Sequence, residues 1–430
     1  MTDLIALVGG ILLATLAIAA FVRWEPLVIL TLLAVAAGSF FGAELGIKAG
    51  ITTIYPEDLL AAIALAAAAL RLVRFRPNDS AFLWWLITSI ALALAVVYGA
   101  SRFGPVTSLI FVRKILYVVV VAIYLMTFRF DRASIMRAAT LWMVSAVAVM
   151  AFGLLALLFP SIIPEGLQAT PWEPSYVQFR VMTANAALTM GQAALIGIGL
   201  WAEGNPRPLP RILGLALMGM TVLQFHRSVW LATVAGILAI SGTALRRLRS
   251  LLPAFALFLV CAVAGVLFAR AMGHDLFSSA LSQAIIEPLD QQRSTAAWRI
   301  VGWRILLGEA IAEGPLRVLI GGGFGVGYER FIGWSEIEYS PHNLYVEIFL
   351  NAGLMGLLPF LLFFAVLLRN CMRRTSPYLT NAEHSTASAL LVSILVYCVS
   401  YSLSMDQGIL IGILAAALRP DARAFLRQPA

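Results

Sequence analysis

Residues 339–356 read YSPHNLYVEIFLNAGLMG, a polar turn closing on Pro341, His342 and Asn343 and then an apolar run. The run continues to about residue 368, longer than the roughly 20 residues a helix needs to cross a bilayer. It reads as a membrane helix with a histidine at its mouth, in a chain that has only four histidines. That pairing raises two questions, how many such helices there are and why an ionisable ring stands at the start of one.

Working outward, apolar runs recur along all 430 residues, at 4–22, 26–42, 58–74, 81–98, 106–128, 134–159, 181–201, 210–225, 228–244, 251–272, 343–368 and 386–403. A shorter one, 408–418, is either a further crossing or part of a broken last helix. Hydrophobic residues make up 61% of the chain and charged residues 12%, about half the charged share of a soluble domain. The expectation is an all-α polytopic membrane protein of about 12 transmembrane helices, with one large external loop containing short helices. A closed barrel would need alternating ten-residue strands, which are absent from the sequence. The first run precedes many others, so it reads as a membrane helix and not as a cleaved signal. Cys261, Cys371 and Cys398 are odd in number and widely spaced, which gives neither a disulfide framework nor a metal site.

Charge orients the runs. The net charge is +8, from 28 arginines and two lysines, Lys48 and Lys114. Arginines at 71, 74 and 76, at 129, 132 and 137, at 207 and 211, at 246, 247 and 249, and at 369, 373 and 374 follow alternate runs. The positive-inside rule makes those loops cytoplasmic, and Arg419, Arg423 and Arg427 put the C-terminus there too. The alternate loops, 43–57, 99–105, 159–180, 226–227 and 273–342, are then external. The division expected is a bundle of about ten spans over 1–272, a periplasmic loop over 273–342, and C-terminal helices with a short tail over 343–430. Within the loop, 295–313 reads as an amphipathic helix with a stripe of Ala297, Ile300, Val301, Ile305 and Leu306, suited to lie on the outer membrane surface. Glycines at 321, 322, 323, 325 and 327 make a flexible, turn-rich stretch.

The residues able to do chemistry lie on the external side. Arg227, in QFHRSVW, stands near the membrane plane, where a charge is costly and tends to be functional; a snorkelling helix anchor is the plain alternative. Arg299 and Trp303, four apart on one helix face, suit either a stacked pair or a phosphate-binding arginine held by that stacking. Arg180 opens a span, as an interfacial anchor or a further cation. His342 has an ordinary pKa near 6.5 and is the natural proton acceptor at neutral pH. His226 reads as packing or capping, and His274 and His384 carry no role. Glu336 and Glu338 in SEIEYS are two apart, a spacing for a divalent metal, although a solvated loop explains them better. GGGFGVGY lacks the lysine and the strand-to-helix context of a nucleotide loop; a backbone nest for an anion remains open.

Taken together, SPHNLYVEIFLNAGLMGLL resembles the His-Asn and Gly-x-x-Gly signature of the O-antigen ligase and O-antigen polymerase superfamily. FHRSVWLA, STAAWRIVGW, LIGGGFGVGY and, more loosely, FRVMTANAAL are similar to its other segments in order and spacing, over about 178–356. The resemblance implies a GT-C-like, metal-independent membrane glycosyltransferase of the bacterial inner membrane, with its large external loop and its site facing the periplasm. It would move a glycan from undecaprenyl diphosphate to a sugar hydroxyl of lipid A–core, inverting the anomeric centre. No cofactor and no nucleic acid are implied; the partners are the lipid-linked donor, the lipid A–core acceptor and membrane lipids. The catalytic residues implied are His342, Arg227 and Arg299. Arg180, Trp303, Asn343, Tyr345, Glu347 and Gly325 are implied in substrate binding. The polymerase of the same superfamily is the near alternative. A transporter or flippase is the distant one, disfavoured by the lack of repeated halves and by charges gathered at the outer boundary.

Overall fold

The structure is a computed structural model and describes residues 17–21, 23–41, 47–49, 52–74, 77, 79–159, 182–202, 208–224, 226–243, 256, 260, 295–332 and 335–420. Most of the expected spans 4–22 and 251–272 lie outside the described residues, with Arg180, Cys261, His274 and loop arginines 76, 207, 246, 247, 249, 423 and 427. The helices are α1 (Glu25–Phe41), α2 (Pro56–Arg74), α3 (Ser80–Phe103), α4 (Pro105–Met126), α5 (Arg132–Leu158), α6 (Ala184–Ala202) and α7 (Pro208–Leu223). They continue with α8 (Arg227–Thr243), α9 (Thr295–Ala312), α10 (Pro315–Ile320), α11 (Leu344–Arg373), α12 (Asn381–Cys398) and α13 (Met405–Ala417). Two antiparallel hairpins, β1 (Ile47–Ala49) with β2 (Thr52–Ile54) and β3 (Arg330–Ile332) with β4 (Ser335–Ile337), amend the all-α expectation.

Local sequence sets the ends. Asp79 accepts the Phe82 N–H at 2.8 Å and starts α3. Gly104, at φ 88, stops it and donates to the Ala100 carbonyl, and Pro105 then opens α4 with its φ already helical. Asp131 caps α5, and Thr380 with Glu383 forms a capping box on α12.

Four helices, not about twelve, are long and apolar enough to cross a membrane among the described residues: Ser80–Phe103, Pro105–Met126, Arg132–Leu155 and Leu344–Arg373. The other runs fall short for two reasons. Helices α7, α8 and α13 are apolar but have 16, 17 and 13 residues; at 1.5 Å per residue α13 is about 20 Å long against a core of about 30 Å. Helices α2 and α12 begin on charged or polar residues, Glu57 and Asp58 in one and Asn381, Glu383 and His384 in the other. Apolar length alone overcounted the crossings, and the GT-C-like architecture expected with that count loses its footing. The chain is nonetheless a multi-pass helical membrane protein. Leu83, Ile90, Leu94, Val97, Leu109 and Ile110 on α3 and α4 are each at least half exposed, a surface fit for lipid and too apolar for water.

Arginines close one end of the bundle. Arg71 donates to Thr127, Arg132 forms a two-pronged contact with Glu383, and Arg419 pairs with Asp79 at 2.6 Å while its Nη2 donates to the Met126 carbonyl. The opposite end holds the candidate site, and there α11 is broken. Gly353 has φ 60 and ψ −158, so the helix is two pieces that meet at a kink. The carbonyls of Leu350 and Asn351 freed by the break accept the N–H groups of Gly322 and Gly323 at 2.9 and 3.0 Å. The next residue, Phe324, donates its N–H to the Ala95 carbonyl and accepts from the Ser108 hydroxyl at 2.7 Å. A Cβ on Gly99 would lie 2.1 Å from the Phe324 oxygen, so only glycine lets the loop in. The glycine stretch expected to be flexible is therefore buried and pinned between α3, α4 and α11. Its N–H groups at 322 and 323 face carbonyls and are not an anion nest.

Helix α9 forms as expected, but its stripe is turned. Leu306 and Ala310 are buried, while Ile300 and Val301 are exposed at 51% and 43%. Ile300 lies six residues, about 240°, around the helix from Leu306, so the two cannot share one buried face. Deep in the bundle, α13 packs its Gly408 on Val118 and Gly412 on Ala122 of α4. Its fully buried Asp406 accepts from Thr189 at 2.9 Å and from the Ser404 hydroxyl, and Gln407 exchanges amide hydrogen bonds with Gln192 at 2.7 and 3.1 Å.

Candidate active site

Three pieces of chain meet at the open end of α11: the turn 338–343, helix α9, and the non-helical segment 399–404 that joins α12 to α13. His342 has φ 50, a left-handed conformation uncommon for a residue with a Cβ. It is held on both sides. The indole N–H of Trp303 donates to the Pro341 carbonyl at 2.6 Å, and Asn343 caps α11 by accepting the Val346 N–H at 3.1 Å. The imidazole stands edge-on to Tyr401, with ring centres 6.2 Å apart, and Tyr401 is stacked on Tyr397 at 5.2 Å. The Arg299 guanidinium lies 5.4 Å from the same Tyr401 ring. His342 and Arg299 therefore flank one tyrosine. Burial lowers the His342 pKa from its ordinary value, and the positive charges of Arg299, Arg330 and Lys114 lower it further. The ring is thereby kept neutral, the form that accepts a proton.

Arg330, at the start of β3, is almost fully buried and was not singled out from the sequence. Its Nη1 donates to the carbonyls of Tyr328 and Tyr339 at 2.8 and 2.9 Å. Lys114, on α4, is exposed. Below the imidazole, Glu347 is buried and accepts from the hydroxyls of Ser402 and, at 3.5 Å, Tyr328. Asn351, one turn on, donates to the Tyr328 oxygen at 2.9 Å. Burial and the neighbouring Glu347 push the Tyr328 pKa well up, so the phenol stays protonated and able to donate.

The structure thus gathers His342, Arg299, Trp303, Asn343 and Glu347 in one neighbourhood. Tyr345 lies on the α12 side, where its hydroxyl donates to the Leu395 carbonyl at 2.7 Å. Gly325, at φ 106, sits against Phe103 at the far end of the glycine loop. Arg227 is the first residue of α8. Its neighbour His226 is buried with Nε2 2.9 Å from the Met182 carbonyl, and three residues on from Met182, Asn185 accepts from the Tyr397 hydroxyl at 2.7 Å. The path from Arg227 to the cluster therefore runs through the start of α6 and the Tyr397–Tyr401 stack. Arg180 lies outside the described residues. Glu336 and Glu338 are exposed on the β4 side of the hairpin. Among the described residues no three His, Cys, Asp or Glu side chains are placed to hold a metal.

These features define a membrane protein with a cationic, histidine-centred site at one end of its helix bundle. Residues 212–361, about a third of the chain, match the family model described as O-antigen ligase. The family supports a ligase- or transferase-type role in O-antigen ligation or polymerisation, with glycan donor and acceptor as partners. No curated protein matches the chain. The matched region holds every implied site residue except Arg180. Arg330, Tyr401 and Lys114 are the neighbours that sequence reading missed. An arginine close behind the glycine stretch was the available signal for the first.

Proposed function

We propose that the protein transfers a glycan from undecaprenyl diphosphate to a sugar hydroxyl of lipid A–core at the periplasmic face, by a single displacement that needs no metal. The acceptor oxygen attacks the anomeric carbon and the bond to the diphosphate oxygen breaks with inversion. The acceptor proton passes to the imidazole of His342, and undecaprenyl diphosphate leaves. Arg299 and Arg227 stabilise the negative charge that grows on the leaving group, as preorganised donors do. The observation that carries this reading is the imidazole of His342, held at φ 50 between Trp303 and the α11 cap, with its pKa lowered by burial and then by the positive charge of Arg299. A base must be both placed and neutral before the acceptor arrives, and His342 meets both conditions.

The test incubates purified protein with a lipid-linked glycan and offers lipid A–core and a second lipid-linked unit as competing acceptors. Glycan on lipid A–core supports the ligase; glycan on the second unit makes the protein the polymerase. Absence of transfer to either, with folded protein, ends the proposal. His342→Ala is expected to abolish transfer while leaving helical content and insertion intact.

A further inference from the structure

Two arginines beside His342 are held in protein without a carboxylate to answer them. Among the described residues neither Arg299 nor Arg330 forms an ion pair. Arg330 is only 2% exposed, and its Nε is buried with no hydrogen-bond partner; the Nε of Arg299 is in the same state. A buried charge with no counter-charge is costly, and burial lowers the pKa of Arg330 accordingly. The two guanidinium groups also face one ring. Arg299 is 6.0 Å and Arg330 5.9 Å from the centre of Trp298, so they are no more than about 12 Å apart. Closing the turn 328–339 accounts for Nη1 of Arg330 alone, through its two carbonyl acceptors. Those two bonds also fix the plane of the guanidinium and leave its Nε edge unanswered.

We infer that Arg330 is a further anion-binding guanidinium beyond Arg299 and Arg227, forming with Arg299 a clamp on a diphosphate ester beside His342. This inference rests on the glycosyl-transfer reading for the donor's identity, not for the anion chemistry. Planar guanidinium groups bind phosphate oxygens two at a time, which suits a diphosphate better than a single carboxylate. Lys114, exposed on α4, adds a third positive charge to the same field. Filling the clamp would neutralise the charges that hold His342 unprotonated, so donor binding would also make the imidazole a stronger base.

The experiment uses the full chain in detergent with inorganic diphosphate and inorganic phosphate as probes. Arg330→Gln is expected to weaken diphosphate binding by about tenfold or more, the scale of losing one hydrogen bond to a charged group, and to change phosphate binding less. Arg330→Lys is expected to restore little of it. A second measurement follows the pH dependence of His342 modification by diethyl pyrocarbonate, read by peptide mass spectrometry. Diphosphate should raise the midpoint in the wild type and move it less in Arg330→Lys, and this arm decides the matter where Arg330→Gln does not fold. Unchanged diphosphate affinity in a folded Arg330→Gln, or a wild-type midpoint that ignores diphosphate, overturns the clamp. The lipid-linked donor, tested alongside as a competitor, separates the sources. Diphosphate binding that depends on Arg330 without any glycan transfer would sink the reaction and keep the clamp. Transfer at full rate by a folded Arg330→Gln would do the reverse.

Discussion

The indole N–H of Trp303 is the smallest group whose removal should disable the site without unfolding the protein. Trp303→Phe keeps an aromatic ring and deletes one donor, 2.6 Å from the Pro341 carbonyl. His342 stands at φ 50, about 1–2 kcal/mol above the ordinary backbone regions. Two hydrogen bonds oppose that strain, the indole to Pro341 and the Asn343 cap, each contributing about 1 kcal/mol net. Strain and restraint are of equal size, so the imidazole is held by a narrow margin. Losing one bond should shift the His342 population by about 1 kcal/mol, a factor of about five. Stability should fall by the same small amount, a change of a few degrees in Tm at most. Transfer measured in detergent over a range of donor concentrations should show kcat reduced by up to about fivefold with KM nearly unchanged, the sign of lost alignment. An intact kcat would refute the reasoning. A rise in KM alone would put Trp303 against the substrate instead of behind His342.

Three further outcomes follow from the same geometry. The acid limb of transfer should lie below the ordinary histidine value of about 6.5, because burial and nearby cations disfavour the protonated ring. Arg299→Gln removes one of those cations and should move the limb upward; a limb that stays put would free His342 from Arg299. Since the folded state holds the proton less tightly than the unfolded chain, the stability contributed by His342 is whole above the ordinary value. It is lost as pH falls through the lowered value, and urea unfolding across that range checks the sign. Gly353→Ala places a Cβ 2.4 Å from the Leu319 oxygen at φ 60 and should cost at least about 2 kcal/mol in a thermal melt. A normal melting temperature there would mean that the break in α11 is not fixed by this glycine.

Helix positions were legible because length and apolarity mark them: the runs at 58–74, 106–128 and 343–368 correspond to α2, α4 and α11. The number of crossings was not legible. The segment 408–418 is apolar because it is buried against α4 and α6, and burial among helices leaves the same trace in a sequence as immersion in lipid. His342 and Arg299 stood out as ionisable residues beside apolar segments. Arg330 did not, since a strand of three residues is too short to show a periodicity that says which side chains turn inward. Nor did the sequence disclose that residues 321–324 seal the broken α11. Glycines that permit a close approach and glycines that permit motion are written with the same letter.

The paired amides and the carboxylate where α13 begins also bear on how the protein is made. Gln407 finds its partner Gln192 more than two hundred residues back along the chain. A hairpin bearing Ser404, Asp406 and Gln407 has no stable home in hydrocarbon by itself. Helices α12 and α13 therefore gain a full set of polar partners only when they dock against α6, which makes that docking a keystone of assembly. Because Tyr401 and Ser402 ride on its tip, a protein in which that docking fails would leave His342 and Glu347 without these two neighbours.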